Sequence, residues 1–426
     1  MKTKKILIIT SSGGGGLLQA ALAKEQEELA NDPATIIIKH DMLKEWYGKR
    51  VGPWGIKQWD HAQRAGDIKK LKWLYNWQGT ADLVFWPRIF YCALVSFFKH
   101  KVDRVIDTQP LGTSAIIYAM RIYNFWHKKE LILEKVAVDL PTEKNTHFFR
   151  PIKKLSKKNR SCLKLIAISP LLRSMQTPDE FWLEHCNLLE REVVYEYVIR
   201  RSFFKWKGVK RATTPLILTM DIKNREEQEF VSQIVSRGSL QAEIGDKTAR
   251  YLINPFDRVA TILLGSQPTS NATVNYVKKF ILWARANQEK LALFVFCSEH
   301  QKGKNSLIFQ IAKLISREED YPQNLTVIPF SMQSDEVIAP LFHRSNITCT
   351  RSGGQTAMEL MCVTQGEIWV HSELDVAPGE RPSQEKLLDG FLGWEAGNAL
   401  YLYKKFGAKI VAPELVPSLM VEQELQ

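Results

Sequence analysis

Thr350-Arg351-Ser352-Gly353-Gly354-Gln355-Thr356-Ala357-Met358-Glu359 decides how the rest of this chain is read. Residues 346–350 read as a strand and 354–361 as a helix, so Arg-Ser-Gly-Gly is the turn between them. Glycines there let backbone N–H groups come close to an anion, and the helix N-terminus favours negative charge. Thr356 adds a hydroxyl in the first helical turn. Glu359, three residues on, shares that face and offers a carboxylate to ribose hydroxyls. Taken alone, the stretch is equally a tight strand-to-helix turn with no ligand.

It does not stand alone. Gly265-Ser266-Gln267 ends a strand over 259–264, the first of the same alternating series, and its hydroxyl and backbone amides suit a diphosphate. Gly393-Trp394-Glu395-Ala396-Gly397-Asn398 places a carboxylate and an amide in another loop before a helix, groups that can read sugar hydroxyls. Between these loops, strands are expected over 291–297, 325–328, 346–350 and 367–370. Helices are expected over 272–288, 306–315, 334–343 and 354–361. The first half alternates likewise: strands over 5–10, 34–39, 102–107, 135–139 and 163–169, helices over 17–29 and 113–125. Buried strands separated by helices argue for doubly wound α/β domains, whose ligands bind at the carboxyl ends of the strands. The expected fold class is therefore α/β, with two Rossmann-like domains facing a cleft. The expected division is 1–255 for the N-terminal domain with its linker, 256–412 for the C-terminal domain, and 413–426 for a tail. Residues 170–255 resist clean assignment. A helix is expected over 179–197, a strand over 216–220 and a helix over 225–237.

Composition bounds the function. The 426 residues suit two cores of about 200 residues each. With 45% hydrophobic and 24% charged residues, disorder is not the default. Cys92, Cys162, Cys186, Cys297, Cys349 and Cys362 are scattered with no Cys-x-x-Cys pair, which gives no zinc or redox motif and points to a reducing, intracellular setting. Residues 6–9 are too short an apolar run for a signal-peptide core and read as a first strand. The most apolar stretch, 83–98, is interrupted by Pro87-Arg88 and falls short of the roughly 20 residues of a spanning helix. A soluble or peripheral, cytoplasmic protein is expected. The net charge of +12 favours an anionic partner. Basic residues interleave with aromatics at 69–75, 148–158 and 200–207, the pairing an interfacial membrane surface uses. The plainer reading is a solvated basic face over core aromatics. No nucleic-acid fold signature accompanies the patches, so nucleic acid is not an expected partner.

The loops together, Leu264-Gly265-Ser266-Gln267, then 350–359, then Glu395-Ala396-Gly397-Asn398 with Phe406-Gly407-Ala408, resemble the donor domain of the MurG and monogalactosyldiacylglycerol synthase family. The resemblance covers 259–411 and is sparse before it. There, Ser11-Ser12-Gly13-Gly14-Gly15-Gly16 looks like that family's Gly-rich acceptor loop, and Asp107-Thr108-Gln109-Pro110-Leu111 and Val138-Asp139-Leu140-Pro141-Thr142 resemble its glycolipid-synthase branch. The resemblance implies an inverting GT-B glycosyltransferase that moves a hexose from a nucleotide diphosphate sugar, a uridine diphosphate sugar, to a lipid-linked acceptor. It implies that Ser266 and Gly353 contact the donor phosphates, that Glu359 holds the ribose, and that Glu395 and Asn398 lie near the sugar. Arg351, Ser352, Gly354, Thr356, Gly265, Gln267 and Trp394 complete the expected donor set, and Gly13 to Gly16 the acceptor loop. No cofactor and no metal are expected beyond the nucleotide sugar as substrate, and no Asp-x-Asp motif is present.

An inverting transfer needs a base for the acceptor hydroxyl and stabilisation of the leaving diphosphate. Asp139, just after an expected strand, is the foremost base; its plainer role is a turn cap before Pro141. Asp107 is placed similarly. His147, in a basic aromatic loop, is expected at the membrane or in solvent, and His40 in a structural role. The sequence departs from the family twice: Leu17 stands where a histidine usually follows the glycines, and Trp394 where a glutamine usually precedes the glutamate. A tryptophan stacks on a sugar face rather than reading its hydroxyls. These departures keep open a non-catalytic binder of nucleotide or anionic lipid; a nucleotide-sugar 2-epimerase is the other alternative. Residues 371–392 look long for their connection and are read as a lid or regulatory loop.

Overall fold

The apolar runs form two parallel sheets in the computed structural model, which describes residues 3–145, 147–211, 213–298 and 306–424. The first half runs β1 (Lys5–Thr10), α1 (Gly15–Asn31), β2 (Ile36–Asp41), α2 (Val51–Ala65), α3 (Ile68–His100), β3 (Arg104–Asp107) and α4 (Thr113–His127). It continues with β4 (Leu133–Val136), α5 (Phe149–Lys153), α6 (Lys157–Arg160), β5 (Leu163–Ala167), α7 (Pro178–Cys186), β6 (Val193–Tyr195) and α8 (Arg201–Trp206). Its strands pair in parallel in the order β2-β1-β3-β4-β5-β6. A three-stranded antiparallel sheet follows, from β7 (Leu216–Asp221), α9 (Arg225–Val235), β8 (Ala242–Ile244) and β9 (Thr248–Ile253).

The second half runs β10 (Arg258–Leu263), α10 (Ser270–Ala286), β11 (Leu291–Phe296), α11 (Leu307–Ser316), β12 (Leu325–Phe330), α12 (Asp335–Arg344) and β13 (Ile347–Thr350). It ends with α13 (Gly354–Val363), β14 (Glu367–His371), α14 (Gln384–Leu387), α15 (Gly393–Phe406), β15 (Lys409–Val411) and α16 (Val416–Glu424). Its strand order, β12-β11-β10-β13-β14-β15, is the 3-2-1-4-5-6 of a dinucleotide-binding sheet. Every residue of β11 and β12 is buried, as expected for strands covered by helices on both faces. Each sheet reverses its strand order at one point, between β1 and β3 and between β10 and β13. Ligands bind doubly wound sheets at such points, and the loops there are 11–14, 108–111, 265–267 and 351–353.

Several elements differ from the sequence reading. The helix expected over 179–197 stops at Cys186, where Asn187 takes a left-handed conformation (φ 55) and closes it; Val193–Tyr195 instead pairs with β5 at the sheet edge. The apolar stretch at 83–98 is not cut at Pro87 but lies inside α3, a single helix of 33 residues. Ile89, Ala93 and Phe97, each four residues apart, form a fully buried stripe that holds the helix on the far side of the proline. By length and composition α3 could cross a membrane; 22% of its most apolar window is buried against the protein. The hairpin of β8 and β9 had no expected counterpart. Its sheet packs on the second half, where Leu218, Met220 and Tyr251 join Phe294, Phe296 and Phe330 in one core. The segment after 412 is not free either: Val416 and Met420 are buried in the same cluster as Tyr276 and Val277 of α10. The basic aromatic patches divide. Phe148, Phe149 and Phe203 are core residues, whereas Trp73 and Phe204 are exposed.

Candidate functional site

The carboxyl edges of the two sheets meet at a cleft of about 260 Å³. Gly265, Ser266, Gln267, Arg351, Gly353, Gly354, Thr356, Glu359, Trp394 and Glu395 line it from the second half; Gly13, Gly14, Gly15, Gly16 and Asp139 line it from the first. Ser352, Asn398 and Asp107 do not.

The halves approach closely because glycines stand at the contact. A Cβ on Gly354, at the start of α13, would lie 2.3 Å from the Val138 carbonyl oxygen and 2.7 Å from Asp139 Cα. A Cβ on Gly15 would lie 2.7 Å from Ser266 Oγ. The N-terminus of α13 therefore presents its free N–H groups to the cleft directly beside the Asp139 loop. Gly265, at φ +82, turns the chain after β10 so that Ser266 faces the glycine loop. Gln267 is held from the other half by Arg64 Nε of α2 at 2.5 Å.

Glu359 is buried, and Arg200 grips it with two bonds of 2.7 Å, Nε to Oε1 and Nη2 to Oε2. Gln355 Nε2 adds a third at 3.1 Å. Arg200 also pairs with Asp335. A carboxylate has about four acceptor positions, so Glu359 keeps capacity for a hydroxyl. Arg200, from the basic aromatic run at 200–207, instead lies in the cleft wall, half-buried and bonded to Glu359. Arg351 pairs with Glu395 at 3.2 Å, both side chains nearly buried.

Asp139 sits in a network that spans the halves. Its Oδ1 accepts from Asn398 Nδ2 at 2.8 Å, and its Oδ2 lies 3.0 Å from His147 Nε2. Asn398 also donates to the Ser352 carbonyl at 2.8 Å, and its Oδ1 accepts from Leu140 N at 2.8 Å and Asn145 Nδ2 at 3.0 Å. Asn398 is fully buried, so it holds Asp139 rather than facing a sugar. His147 Nδ1 lies 3.0 Å from Asn145 Oδ1, so both ring nitrogens are held by neighbours in the cleft. His147, expected at the membrane or in solvent, is thus a cleft residue. No spacing signal could have found it: it comes from the loop after β4 and meets Asp139 only through the fold. Leu17 lines the cleft.

Asp107 is fully buried outside the cleft. Its carboxylate is paired with Lys135 Nζ at 2.6 Å and accepts from Gln109 N at 2.8 Å, which leaves it no path to an acceptor. His40 lies beside Ser96 and Glu45, away from the cleft. Aromatic rings close one wall. Trp394 stacks on Trp59 at 5.8 Å and lies 4.7 Å from Tyr75 and 5.6 Å from His147. Trp59 and Tyr75 belong to α2 and α3, so this hairpin reaches across to the second half, burying Ala62 and Leu71 with Leu392. Residues 371–392 are anchored: Leu387 is fully buried, and Glu373 accepts from Thr269 Oγ1 at 2.8 Å and pairs with His371 at 3.3 Å. Among the described residues, no three His, Cys, Asp or Glu side chains gather as metal ligands.

Two Rossmann-like sheets turned carboxyl edge to carboxyl edge define a GT-B architecture. Solved structures of similar layout include MurG of Acinetobacter baumannii (13% identical, TM-score 0.47, covering 99% of this chain and 91% of that one). They also include UDP-GlcNAc 2-epimerase of Neisseria meningitidis bound to UDP-GlcNAc (11%, TM-score 0.40, 99% and 99%). A third is a UDP-glucosyltransferase of Polygonum tinctorium (9%, TM-score 0.45, 99% and 90%). No protein-family model matches the chain, and no curated protein matches its sequence.

Proposed function

We propose that the chain is an inverting glycosyltransferase that takes a hexose from a uridine diphosphate sugar and delivers it to the hydroxyl of a lipid-linked acceptor. One observation carries this reading: the free N-terminus of α13 and the Asp139–His147 pair face the same cleft, with Gly354 pressed against Val138 and Asp139. The first is an anion site and the second a proton acceptor, the two things the reaction needs.

In this scheme Glu359 takes the ribose and the turn at Ser266 and Gly353 takes the diphosphate. Asp139 removes the acceptor hydroxyl proton as that oxygen attacks the anomeric carbon. The bond from that carbon to the diphosphate oxygen breaks, and its electron pair leaves with the diphosphate. The α13 N-terminus and Arg351 stabilise the charge that develops there. His147 and Asn398 fix the Asp139 carboxylate. Trp394, Trp59 and Tyr75 offer ring faces to the sugar and exclude water. No metal or further cofactor is invoked. A peripheral place on an anionic membrane is supported by Phe125 and Trp126 at the end of α4, 82% and 71% exposed, followed by Lys128 and Lys129.

A second reading, a binder without turnover, is favoured by the two departures at Leu17 and Trp394. A thermal-shift panel of nucleotides and nucleotide sugars tests both, because a ligand of the folded state raises its stability. A rise with one uridine diphosphate sugar, lost in Glu359→Gln, supports the donor site; release of the diphosphate on adding acceptor lipid then supports transfer. A panel with no rise sinks the donor reading.

A further inference from the structure

A second hollow, of about 390 Å³, lies between α2 and α3. Trp54, Ile56, Trp73, Trp77, Val84 and Phe85 are among the residues of its wall. Tryptophan is costly to leave in water, yet Trp54, Trp73 and Trp77 are each about half exposed (55%, 51% and 54%). The hollow is continuous with the cleft, since Gly13, Trp59 and Gln78 line both. Residues 44–72, which include α2 and the start of α3, carry eight Lys or Arg against three Asp or Glu.

We infer that this groove seats the hydrocarbon chain of the acceptor, an alkyl or isoprenoid chain, while its hydroxyl-bearing head lies in the cleft. The inference rests on the transferase reading and names its acceptor class. The geometry matches such a molecule end to end: an apolar trough, a neck at Gly13, Trp59 and Gln78, then the polar cleft with Asp139. The basic surround favours an anionic head or linker. At the junction, a Cβ on Gly13 would lie 2.7 Å from Leu43 Cδ1, a groove residue.

The test uses the full chain with 11-(dansylamino)undecanoic acid below its micelle concentration, read by fluorescence, beside the uridine nucleotide thermal shift. Gly55→Trp fills the groove, because nothing lies within 4 Å of a Cβ at Gly55. Val84→Asp, at a position 66% exposed, puts a charge on the wall without disturbing the core. One-site saturable binding by the wild type, weakened at least tenfold in both variants with the nucleotide shift intact, is the expected result. No saturable binding, or equal affinity in both variants, overturns the groove. So does loss of flotation with phosphatidylglycerol vesicles at unchanged probe affinity, which makes the hollow's rim a membrane contact only. A wild type that binds the probe but no uridine nucleotide counts against the transferase reading, and the acceptor role of the groove falls with it.

Discussion

Asp139 holds two partners and faces the cleft with what remains of its carboxylate. Asp139→Asn keeps the shape and the Asn398 contact but removes the base. Transfer is expected to fall about 100- to 10,000-fold, with the nucleotide thermal shift unchanged. His147→Gln is expected to lower the rate less, since the carboxylate remains. If Asp139→Asn turns over at the wild-type rate, Asp139 is not the base. Asp139, Glu359 and the glycine turns were legible because each lies shortly after a strand or in the first two turns of a helix, where a local pattern marks it. His147 and Arg200 were not. Each lies in a run of basic and aromatic residues that satisfies a membrane pattern as well as a buried ion pair, and only packing separates the two. Asp107 looked equivalent to Asp139 because both follow strands. The buried Lys135 on the neighbouring strand β4 claims it, and pairing across a sheet leaves no mark in local sequence.

At the scale of elements, α3 was hidden by its proline and the small antiparallel sheet by its short strands; β8 has only three residues. The 371–392 segment gives a prediction of its own. Burial pushes the Glu373 carboxyl up, but the His371 ring, the Arg351 charge and the Thr269 hydroxyl outweigh it and hold it at about 2, below an ordinary 4.5. A depressed carboxyl stabilises the fold above its unfolded value, and that contribution is lost as pH falls from about 4.5 to about 2. The drop of about 2.5 units corresponds to roughly 3 kcal/mol as an upper figure. Urea midpoints measured through this range are expected to fall more steeply for the wild type than for Glu373→Gln. Parallel curves would show that the carboxylate contributes nothing there.

For the whole molecule, the alternation of strands and helices was enough to read two doubly wound sheets, because buried parallel strands announce themselves as unbroken apolar runs. The net charge of +12 acts at this scale too. Flotation with phosphatidylglycerol vesicles is expected to weaken severalfold as salt rises from about 0.05 to 0.5 M, because screening shortens from over 10 Å to a few ångströms. It is expected to weaken again in Phe125→Ser with Trp126→Ser. Binding indifferent to both would remove the membrane from the account. Finally, Asn398 lies in the second half, yet its amide fixes a carboxylate and a backbone N–H of the first. The two halves are therefore poor candidates for exchange with those of other transferases: a hybrid that keeps both sheets and every donor-loop residue, but lacks an asparagine at this point, would fold around an acid group left unaimed.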